Sequence, residues 1–262
     1  MRLIIEPTYS LQSEWAAKYV ATKIRKANPT PEKPFVLGLP TGSTPLEMYM
    51  NLIELNRKGV ISFQNVVTFN MDEYVGLPED HPQSYHSFMW DNFFSHIDIR
   101  KENVNILNGN AHDLEAECEN YEKRIAAAGG IDLFLGGVGP DGHIAFNEPP
   151  EPDEPITDEQ FAMLSTRTLR LTRETRTINA VTAASGYIDY IPRRCITVGM
   201  REILSARQLR FYMNRTWQKG VVRKIALGPV TRFAPASFLQ THPDALLTIA
   251  SYVAEPPVGQ LR

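Results

Sequence analysis

Short apolar runs alternate with helix-like segments along the whole chain, and this alternation constrains the fold more than any other feature. Strands that are joined through helices run parallel, and a parallel sheet needs cover on both faces. We therefore predict an α/β fold of three layers: a mostly parallel, twisted, Rossmann-like sheet with helices on both faces. The first helix is expected to be capped by Ser13. The predicted strands span residues 3–6, 35–39, 65–70, 103–107, 131–135, 195–199, 209–213 and 245–250, and the predicted helices 13–28, 46–59, 83–94, 113–128, 202–206, 217–227 and a segment from residue 234.

The composition is that of an ordinary soluble globular protein, with 43% hydrophobic and 22% charged residues. A net charge of −3 gives no reason to expect nucleic acid or an anionic membrane as a partner. No apolar stretch is long enough to span a membrane and no signal peptide is recognisable, so we expect a cytoplasmic protein. Cys118 and Cys195 fall in a predicted helix and strand and are interpreted as core residues. No composition break marks a second domain, and a single domain over residues 1–262 is predicted.

Residues 131–149 carry the strongest chemical signal. The strand predicted at residues 131–135 ends in a glycine-rich turn, and Asp141, His143 and Glu148 follow within a few positions. Ligands of open α/β sheets bind just beyond the carboxyl ends of the strands. Two carboxylates and an imidazole at such a strand end form a candidate acid–base centre. The alternative is a hydrogen-bonded histidine with a purely structural role.

The segment Gly137-Val138-Gly139-Pro140-Asp141-Gly142 formally fits the dinucleotide-binding pattern G-x-G-x-x-G. That pattern requires a helix that opens at its third glycine. Here the third glycine leads to Asn147-Glu148-Pro149-Pro150, which continues a helix poorly. A dinucleotide site is therefore disfavoured.

A second strand end carries Pro40-Thr41-Gly42-Ser43-Thr44-Pro45 before a predicted helix. Gly42 allows a ligand to approach the backbone closely, and the start of the helix leaves N–H groups unpaired. Together with the hydroxyls of this loop, these groups would hold a phosphate. The Gly-Lys-[Ser/Thr] of a nucleoside-triphosphate loop is absent. A plain capping loop explains the local sequence equally well.

A third strand, predicted at residues 65–70, ends near Asp72 and Glu73. Its end falls on the same edge of the sheet as Asp141. We expect Asp72, which is closer to the strand, to belong to the site. Glu73 is interpreted as a solvated loop carboxylate.

Several basic residues are candidates for binding an anion. Lys219 lies in the first turn of a predicted helix, where a cation opposes the helix dipole unless an anion lies between them. Arg167, Arg170, Arg173 and Arg176 recur at every third position. These arginines form either a solvated face or a cover that neutralises a phosphorylated substrate.

Three strand-end segments taken together closely resemble the glucosamine-6-phosphate deaminase (isomerising) family, which shares a fold group with the 6-phosphogluconolactonases. The likeness covers nearly the whole chain and is weaker from residue 150 to residue 220. The segments that carry it are Pro40 to Pro45, Phe69-Asn70-Met71-Asp72-Glu73-Tyr74, and Gly136 to Pro149 with Gly-Pro-Asp-Gly-His at its centre.

The resemblance implies an enzyme of amino-sugar metabolism, of the hydrolase or isomerase type. It implies isomerisation and deamination of a phosphorylated amino sugar, with glucosamine 6-phosphate as the first choice, to fructose 6-phosphate and ammonia. It also implies no metal and no organic cofactor. The oligomeric state stays open, since members of the family are monomers or homo-oligomers such as hexamers.

Roles carried over from the matching motifs place the catalytic residues at Asp72, Asp141, His143 and Glu148. His143 would open the pyranose ring, while Asp141 and Glu148 would hold its orientation and charge. Asp72 would carry the proton between C2 and C1 of the sugar. The implied substrate-binding residues are Thr41, Gly42, Ser43, Thr44, Gly137 and Lys219, with the 41–44 loop and Lys219 at the phosphate.

The segment around residues 175–182 departs from the family pattern. Thr-Arg-Thr-Ile-Asn at residues 175–179 is followed by Ala180-Val181-Thr182, where the family carries an arginine for the phosphate. Losing one charge-assisted phosphate contact costs roughly 1.5–3 kcal/mol. Arg173 and Arg176 are the candidates for replacing it.

The regulatory pocket of the family is also altered. Arg167 matches its arginine, but Pro150-Glu151 stands at its serine and Leu169 at its lysine. We therefore do not expect activation by an N-acetylamino-sugar phosphate.

Two other functions remain open from the sequence. A lactonase acting on a 6-phospho sugar acid would share the fold, although ester hydrolysis needs no base for a carbon-bound proton and so leaves Asp72 unexplained. A sugar-phosphate sensor without catalysis would explain the missing arginine and the altered segment at residues 150–182.

Overall fold

The computed structural model describes residues 1–257, so the last five residues of the predicted domain lie outside the described part. Ten strands are present in that part. They are β1 (Arg2–Glu6), β2 (Phe35–Leu39), β3 (Val66–Asn70), β4 (Asp72–Tyr74), β5 (Val104–Asn105), β6 (Leu133–Gly137), β7 (Arg167–Arg170), β8 (Arg194–Thr197), β9 (Leu209–Met213) and β10 (Ala245–Ala250).

Nine α-helices connect or flank these strands within residues 1–257. They are α1 (Tyr9–Ala27), α2 (Leu46–Arg57), α3 (Tyr85–Asn92), α4 (Leu114–Ala127), α5 (Asp158–Ala162), α6 (Arg173–Ala183), α7 (Met200–Ser205), α8 (Lys219–Leu227) and α9 (Ser251–Ala254). The helix predicted from residue 234 is a 3₁₀ helix, Pro235–Thr241.

Seven strands form one sheet in which all neighbouring strands run parallel, in the order β1-β10-β9-β6-β2-β3-β5. Side chains alternate between the two faces of a strand. Accordingly, Leu133 and Leu135 of β6 pack with α1 and α2, whereas Phe134 packs with α4 and α8. The predicted three-layer α/β fold with a mostly parallel sheet is confirmed.

A second, smaller sheet was missed by the sequence analysis. β4, β8 and β7 pair in that order and run antiparallel, with Asp72 opposite Thr197 and Tyr74 opposite Cys195. Only Met71 separates β3 from β4, so the chain passes directly from the large sheet into the small one. This passage fixes Asp72 at the carboxyl edge of the large sheet.

The start of the first helix was predicted wrongly. Thr8, not Ser13, is its cap: the Thr8 hydroxyl accepts a hydrogen bond from the backbone N–H of Leu11 at 3.2 Å. Ser13 lies inside α1 and is buried. The two cysteines were interpreted correctly, because Cys118 and Cys195 are both free and buried.

Candidate active site

A cleft of about 160 Å³ lies at the carboxyl ends of the central strands. Its walls come from the segments that follow β2, β3, β6 and β9, and from α6. Parallel strands converge at this edge, which explains why segments far apart in the sequence meet here. The predicted site residues that line the cleft are Thr41, Gly42, Ser43, Thr44, Asp72, Gly137 and His143.

His143 is held by the aspartate two residues before it. Its Nδ1 lies 2.7 Å from Oδ1 of Asp141, and its backbone N–H donates to the same oxygen at 2.9 Å. Although burial opposes the shift, the hydrogen bonds and charge of His143 lower the pKa of Asp141. An ionised carboxylate only accepts, so Nδ1 carries the proton and Nε2 is left for the cleft.

The ionised partner also changes the imidazole. Burial alone lowers the pKa of His143, but the hydrogen bond and charge of Asp141 outweigh it, and the charges of Glu148 and Asp72 add to the effect. The net result is a pKa above the ordinary histidine value. The protonated form of His143 is therefore more favourable than that of an exposed histidine.

Two glycines let the turn carry this histidine. Gly142 has a φ of +96°, a conformation that side chains with a Cβ rarely adopt. A Cβ on Gly139 would lie 2.1 Å from Cε1 of His143, so the ring rests directly over this glycine. No α-helix begins at Gly142; the next α-helix within the described residues is α5, which begins at Asp158. The dinucleotide interpretation is therefore excluded.

The chain after His143 is bent and firmly attached to the small sheet. Ala145 lines the cleft with a φ of +53°, which costs a non-glycine residue about 1–3 kcal/mol. The buried amide of Asn147 donates to the carbonyls of Ile144 and Val198, both at 3.0 Å. These contacts hold the strained bend in place beside the imidazole.

Asp72 is a buried carboxyl that faces the cleft. Only 5% of the residue is exposed, and among the described residues its Oδ1 has no hydrogen-bond partner. Burial, and secondly the charge of Glu73, raise the pKa of Asp72 to about 8, while His143 opposes the shift. A carboxylate with this pKa is a much stronger base than an exposed aspartate.

Glu73 is not the solvated carboxylate that the sequence suggested. It is 4% exposed and accepts hydrogen bonds at the start of α3. Burial raises its pKa, and these hydrogen bonds oppose the rise. Glu73 thus closes the N-terminus of α3. Its donors are the backbone N–H groups of Tyr74, Tyr85 and His86 and the hydroxyl of Ser84, at 2.7–3.0 Å.

The 41–44 loop does not cap the helix that follows it. Pro45 is the N-cap residue of α2, and no side chain makes a capping hydrogen bond there. Within the described chain, the backbone N–H groups of Gly42, Ser43 and Thr44 donate no hydrogen bond. The carbonyls of Ser43 and Thr44 accept from the hydroxyl of Tyr9 at 3.3 and 3.1 Å. The loop thus presents unpaired donors, which disfavours the plain capping interpretation.

Three predicted site residues do not line the cleft. Asp141 hydrogen-bonds to Nδ1 of His143 and does not line the cleft itself. The carboxylate of Glu148 accepts from the hydroxyl and the N–H of Thr172, at 2.7 and 3.1 Å, and so attaches the start of α6. Glu148 therefore influences His143 through its charge rather than by contact. The ammonium of Lys219 lies 2.7 Å from Glu255, which does not support direct phosphate contact by this lysine.

The arginines of the altered segment are used elsewhere. Arg176 donates to the carbonyls of Ile188 and Ile191 at 3.0 and 3.1 Å, and Arg167 donates to Asn147 at 2.7 Å. Neither Arg173 nor Arg176 lines the cleft. The expectation that one of them replaces the missing arginine finds no support in this geometry.

The sequence analysis missed several residues that line the cleft: Tyr85, Asn179, Arg215 and Trp217. An aromatic residue such as Tyr85 is typical of a core, and it does pack on Phe146. Arg215 follows β9, which ends at the same edge as β2, β3 and β6. The strand-end rule that identified Asp72 would have identified Arg215 as well.

Residues 1–257 contain neither a metal-binding cluster nor a membrane-spanning helix. Three or more histidine, cysteine, aspartate or glutamate side chains never come together there in an arrangement that could hold a metal ion. None of the described helices combines the length and the apolar character that crossing a membrane requires.

Comparison with known proteins gives concordant matches. A family model described as glucosamine-6-phosphate isomerases/6-phosphogluconolactonase matches residues 10–247. A glucosamine-6-phosphate deaminase of Parabacteroides distasonis is 56% identical over 251 residues, which are 94% of this chain and 88% of that protein. A glucosamine-6-phosphate deaminase of Borreliella afzelii is 51% identical over 247 residues, again 94% of this chain and 88% of that protein.

Solved structures agree with these matches. A monomeric glucosamine-6-phosphate deaminase has a TM-score of 0.88 at 37% identity, over 97% of this chain and 99% of that chain. The 6-phosphogluconolactonase of Thermotoga maritima has a TM-score of 0.65 at 19% identity, over 95% of this chain and 97% of that chain, a likeness of fold alone. On the family match, the identities and the shared fold, the chain belongs to the family of glucosamine-6-phosphate isomerases and 6-phosphogluconolactonases.

Proposed function

We propose that this protein converts a hexosamine 6-phosphate, with glucosamine 6-phosphate as the preferred substrate, into fructose 6-phosphate and ammonia. One water molecule is consumed in the overall reaction. The observation that carries the proposal is Asp72: a buried, unpartnered carboxyl with a raised pKa that shares a cleft with the imidazole of His143. The relatives at 51–56% identity that are named glucosamine-6-phosphate deaminase support it.

Opening of the pyranose ring is the first step, and we assign it to His143. One proton must leave the hydroxyl on C1 and another must reach the ring oxygen. An imidazole suits both transfers, because its Nε2 accepts one proton and returns it. Asp141 fixes Nδ1 at 2.7 Å, so the ring of His143 does not turn away between the two transfers.

Asp72 then acts on the open-chain aldehyde. The carboxylate takes the proton from C2, and the electron pair left on C2 forms the C1–C2 double bond. The π bond of the C1 aldehyde breaks at the same time and its oxygen takes a proton from the solvent, which gives an enol that bears the amine. The carboxyl then returns a proton to C1 while the nitrogen on C2 loses one to the solvent, which leaves a ketose imine at C2. A single base that reaches two adjacent carbons suffices for both steps, and the raised pKa of Asp72 strengthens it as that base.

Release of ammonia completes the reaction. Water adds to the imine carbon, and the carbon–nitrogen bond of the resulting carbinolamine breaks as ammonia leaves and the ketone forms. The carbon skeleton undergoes an aldose–ketose isomerisation, and the nitrogen is lost by hydrolysis of the imine. We therefore describe the activity as an isomerising deamination rather than as a simple hydrolysis of the amino sugar.

The phosphate end of the substrate would bind at the 41–44 loop. Its free N–H groups, its hydroxyls and the positive end of the α2 dipole favour an anion at this position. Gly42, with a φ of +85°, keeps the loop open toward the cleft. An anion bound there would lie at one wall of the cleft and the proposed acid–base pair at another, which suits a hexose 6-phosphate.

Ammonia release tests the proposal. The purified protein is given glucosamine, galactosamine and mannosamine 6-phosphates, and ammonia is measured with a coupled enzyme. We expect turnover of at least the glucosamine derivative, and a loss of about 10²–10⁴-fold in kcat for His143→Gln. Absence of ammonia with all three substrates would remove the assignment.

Two further substrates separate the alternatives. Turnover of 6-phosphogluconolactone without ammonia release from the amino sugars would identify a lactonase. Thermal stabilisation by hexosamine 6-phosphates without any product would identify a sensor. The deaminase proposal requires release of ammonia from an amino sugar 6-phosphate, and it requires that this release depends on Asp72. Neither alternative predicts these two results.

Two expectations from the sequence stay predictions. A cytoplasmic location, without nucleic-acid or membrane partners, follows from composition and charge. The choice between a monomer and a homo-oligomer is tested by light scattering of the purified protein. The related structure at 37% identity is described as monomeric.

A further inference from the structure

Arg215 lines the cleft in which the proposed substrate would bind. Of the lysines and arginines in residues 1–257, it alone lines the cleft. Lys219 is four residues further on and pairs with Glu255. No described carboxylate lies within salt-bridge distance of the Arg215 guanidinium. The cleft thus contains one permanently charged cation, since arginine does not lose its proton in proteins.

The backbone of Arg215 is fixed against two walls of the cleft. The neighbouring Asn214 is hydrogen-bonded to the 41–44 loop: its Nδ2 donates to the carbonyl of Thr44 at 3.3 Å. The N–H of Arg215 donates to Oε1 of Gln218 at 2.8 Å, and Nε2 of Gln218 donates to the carbonyl of Val138 at 2.7 Å. Arg215 therefore sits at the corner where the loop after β2 meets the turn after β6.

Residues with unpaired backbone donors, in the 41–44 loop, line the same cleft as Arg215. The N–H groups of Gly42, Ser43 and Thr44 donate to no described acceptor. A guanidinium beside several free N–H groups is the donor set that binds a phosphate dianion, because its planar fork matches two phosphate oxygens. Asp72, whose carboxyl has no described partner, lines another wall of the cleft.

We infer that Arg215, and not Lys219 or an arginine of α6, is the cation that binds the phosphate group of the substrate. The identity of the sugar in this inference rests on the proposed function, whereas the binding of a phosphate anion does not. Arg215 thereby replaces the arginine that is missing after residue 179, from a different element of the fold. Specificity for a phosphorylated over an unphosphorylated amino sugar follows from it.

Steady-state kinetics with glucosamine 6-phosphate test the inference. Arg215→Gln is expected to raise KM by roughly 10- to 100-fold, the loss of one or two charge-assisted contacts, with kcat changed less than about threefold. Arg215→Lys keeps the positive charge but loses the planar pair of donors. Its KM is expected to lie between those of the wild type and Arg215→Gln. Lys219→Gln is expected to raise KM less than Arg215→Gln does.

A matched control is available on the same helix as Lys219. Lys224 is exposed, and Lys224→Gln removes one positive charge without altering the cleft. This variant is expected to keep the wild-type KM, which separates a local contact from an effect of net charge. A larger rise in KM for Lys219→Gln than for Arg215→Gln, or a loss of kcat at unchanged KM in Arg215→Gln, would overturn the inference.

Binding of inorganic phosphate separates this inference from the proposed function. Calorimetric titration of the wild type and of Arg215→Gln with inorganic phosphate needs no turnover. It therefore measures the affinity of the anion site even if no hexosamine phosphate is deaminated. Weaker phosphate binding by Arg215→Gln, at an unchanged thermal midpoint, supports the inference. Equal binding by the two proteins contradicts it, whatever the enzyme assay shows.

Discussion

Asp72 and Glu73 are neighbours on β4, yet the two sides of this strand differ in chemistry. Both carboxyls are buried, at 5% and 4% exposure, and burial raises the pKa of both. Glu73 accepts four hydrogen bonds and closes a helix. Asp72 has an oxygen without a partner and faces a cleft. Burial is therefore common to both carboxyls, and unused hydrogen-bonding capacity is what distinguishes Asp72 and supports the catalytic role proposed for it.

Replacing the proposed base, Asp72, has the largest expected effect on activity. Asp72→Asn keeps the shape of the side chain but cannot take a proton from C2. We expect kcat for ammonia release to fall by about 10²–10⁴-fold while the fold is retained. Circular dichroism and substrate-induced thermal shift serve as controls. An Asp72→Asn protein with more than a tenth of wild-type kcat would show that both sides of β4 are structural.

The matched change on the other side is Glu73→Gln. An amide presents only one acceptor oxygen, and its NH₂ group meets backbone donors where a carboxylate oxygen accepted them. We expect the free energy of unfolding to fall by about 2–4 kcal/mol, a drop of roughly 5–15 °C in the melting temperature. Activity of the molecules that remain folded is expected to persist. A Glu73→Gln protein that is stable but has lost all activity would reverse the assignment.

The pKa of Asp72 makes opposite predictions for activity and stability. The base must be ionised, so kcat/KM is expected to rise about tenfold per pH unit up to about pH 8 and then level. In the unfolded chain this carboxyl titrates near its ordinary value. Between about pH 4 and pH 8 the folded state therefore binds more protons than the unfolded state, and its stability falls as pH rises.

Asp72→Asn abolishes that contribution. The variant is expected to become more stable than the wild type as pH increases from 5 to 8, by at most about 1.4 kcal/mol per pH unit. Urea unfolding at several pH values measures the difference. A constant difference in stability across this range would mean that the carboxyl of Asp72 titrates at its ordinary value.

Ser84→Ala has the smallest expected effect and refines the structural side of the comparison. It removes one of the four hydrogen bonds to Glu73, at 2.9 Å, and the cap of α3. We expect a loss of about 1–2 kcal/mol in the free energy of unfolding. Ammonia release is expected to be unchanged at temperatures where the variant is folded. A selective loss of kcat in this variant would connect Glu73 to the reaction.

The sequence predicts Asp72, His143 and the 41–44 loop because each follows a parallel strand, and parallel strands share one edge. It misplaces Glu73, because the donors at Ser84, Tyr85 and His86 lie 11 to 13 residues away. Helix and strand periodicity relate residues only a few positions apart, so no pattern in the sequence connects Glu73 with these donors. The role of a carboxylate is decided by donors that only the fold brings to it.

The small sheet was missed for a related reason. β4 has three residues and pairs with β8, more than a hundred positions later. A strand this short carries no alternation that a pattern could detect. Lys219 shows the same limit, since its partner Glu255 is 36 residues away and lies beyond any local rule. Local patterns thus predict the large sheet and its edge, whereas long-range pairs decide which polar groups are free.

The proposed transfer of a proton from C2 to C1 through Asp72 would leave an isotopic record in the product. The wild type is given glucosamine 6-phosphate that carries deuterium at C2, and the ketose is examined by nuclear magnetic resonance while ammonia release is timed. We predict slower release than from the unlabelled substrate, and fructose 6-phosphate with deuterium only partly retained at C1. Equal rates, with an aldose product that still carries deuterium at C2, would contradict the role given to Asp72.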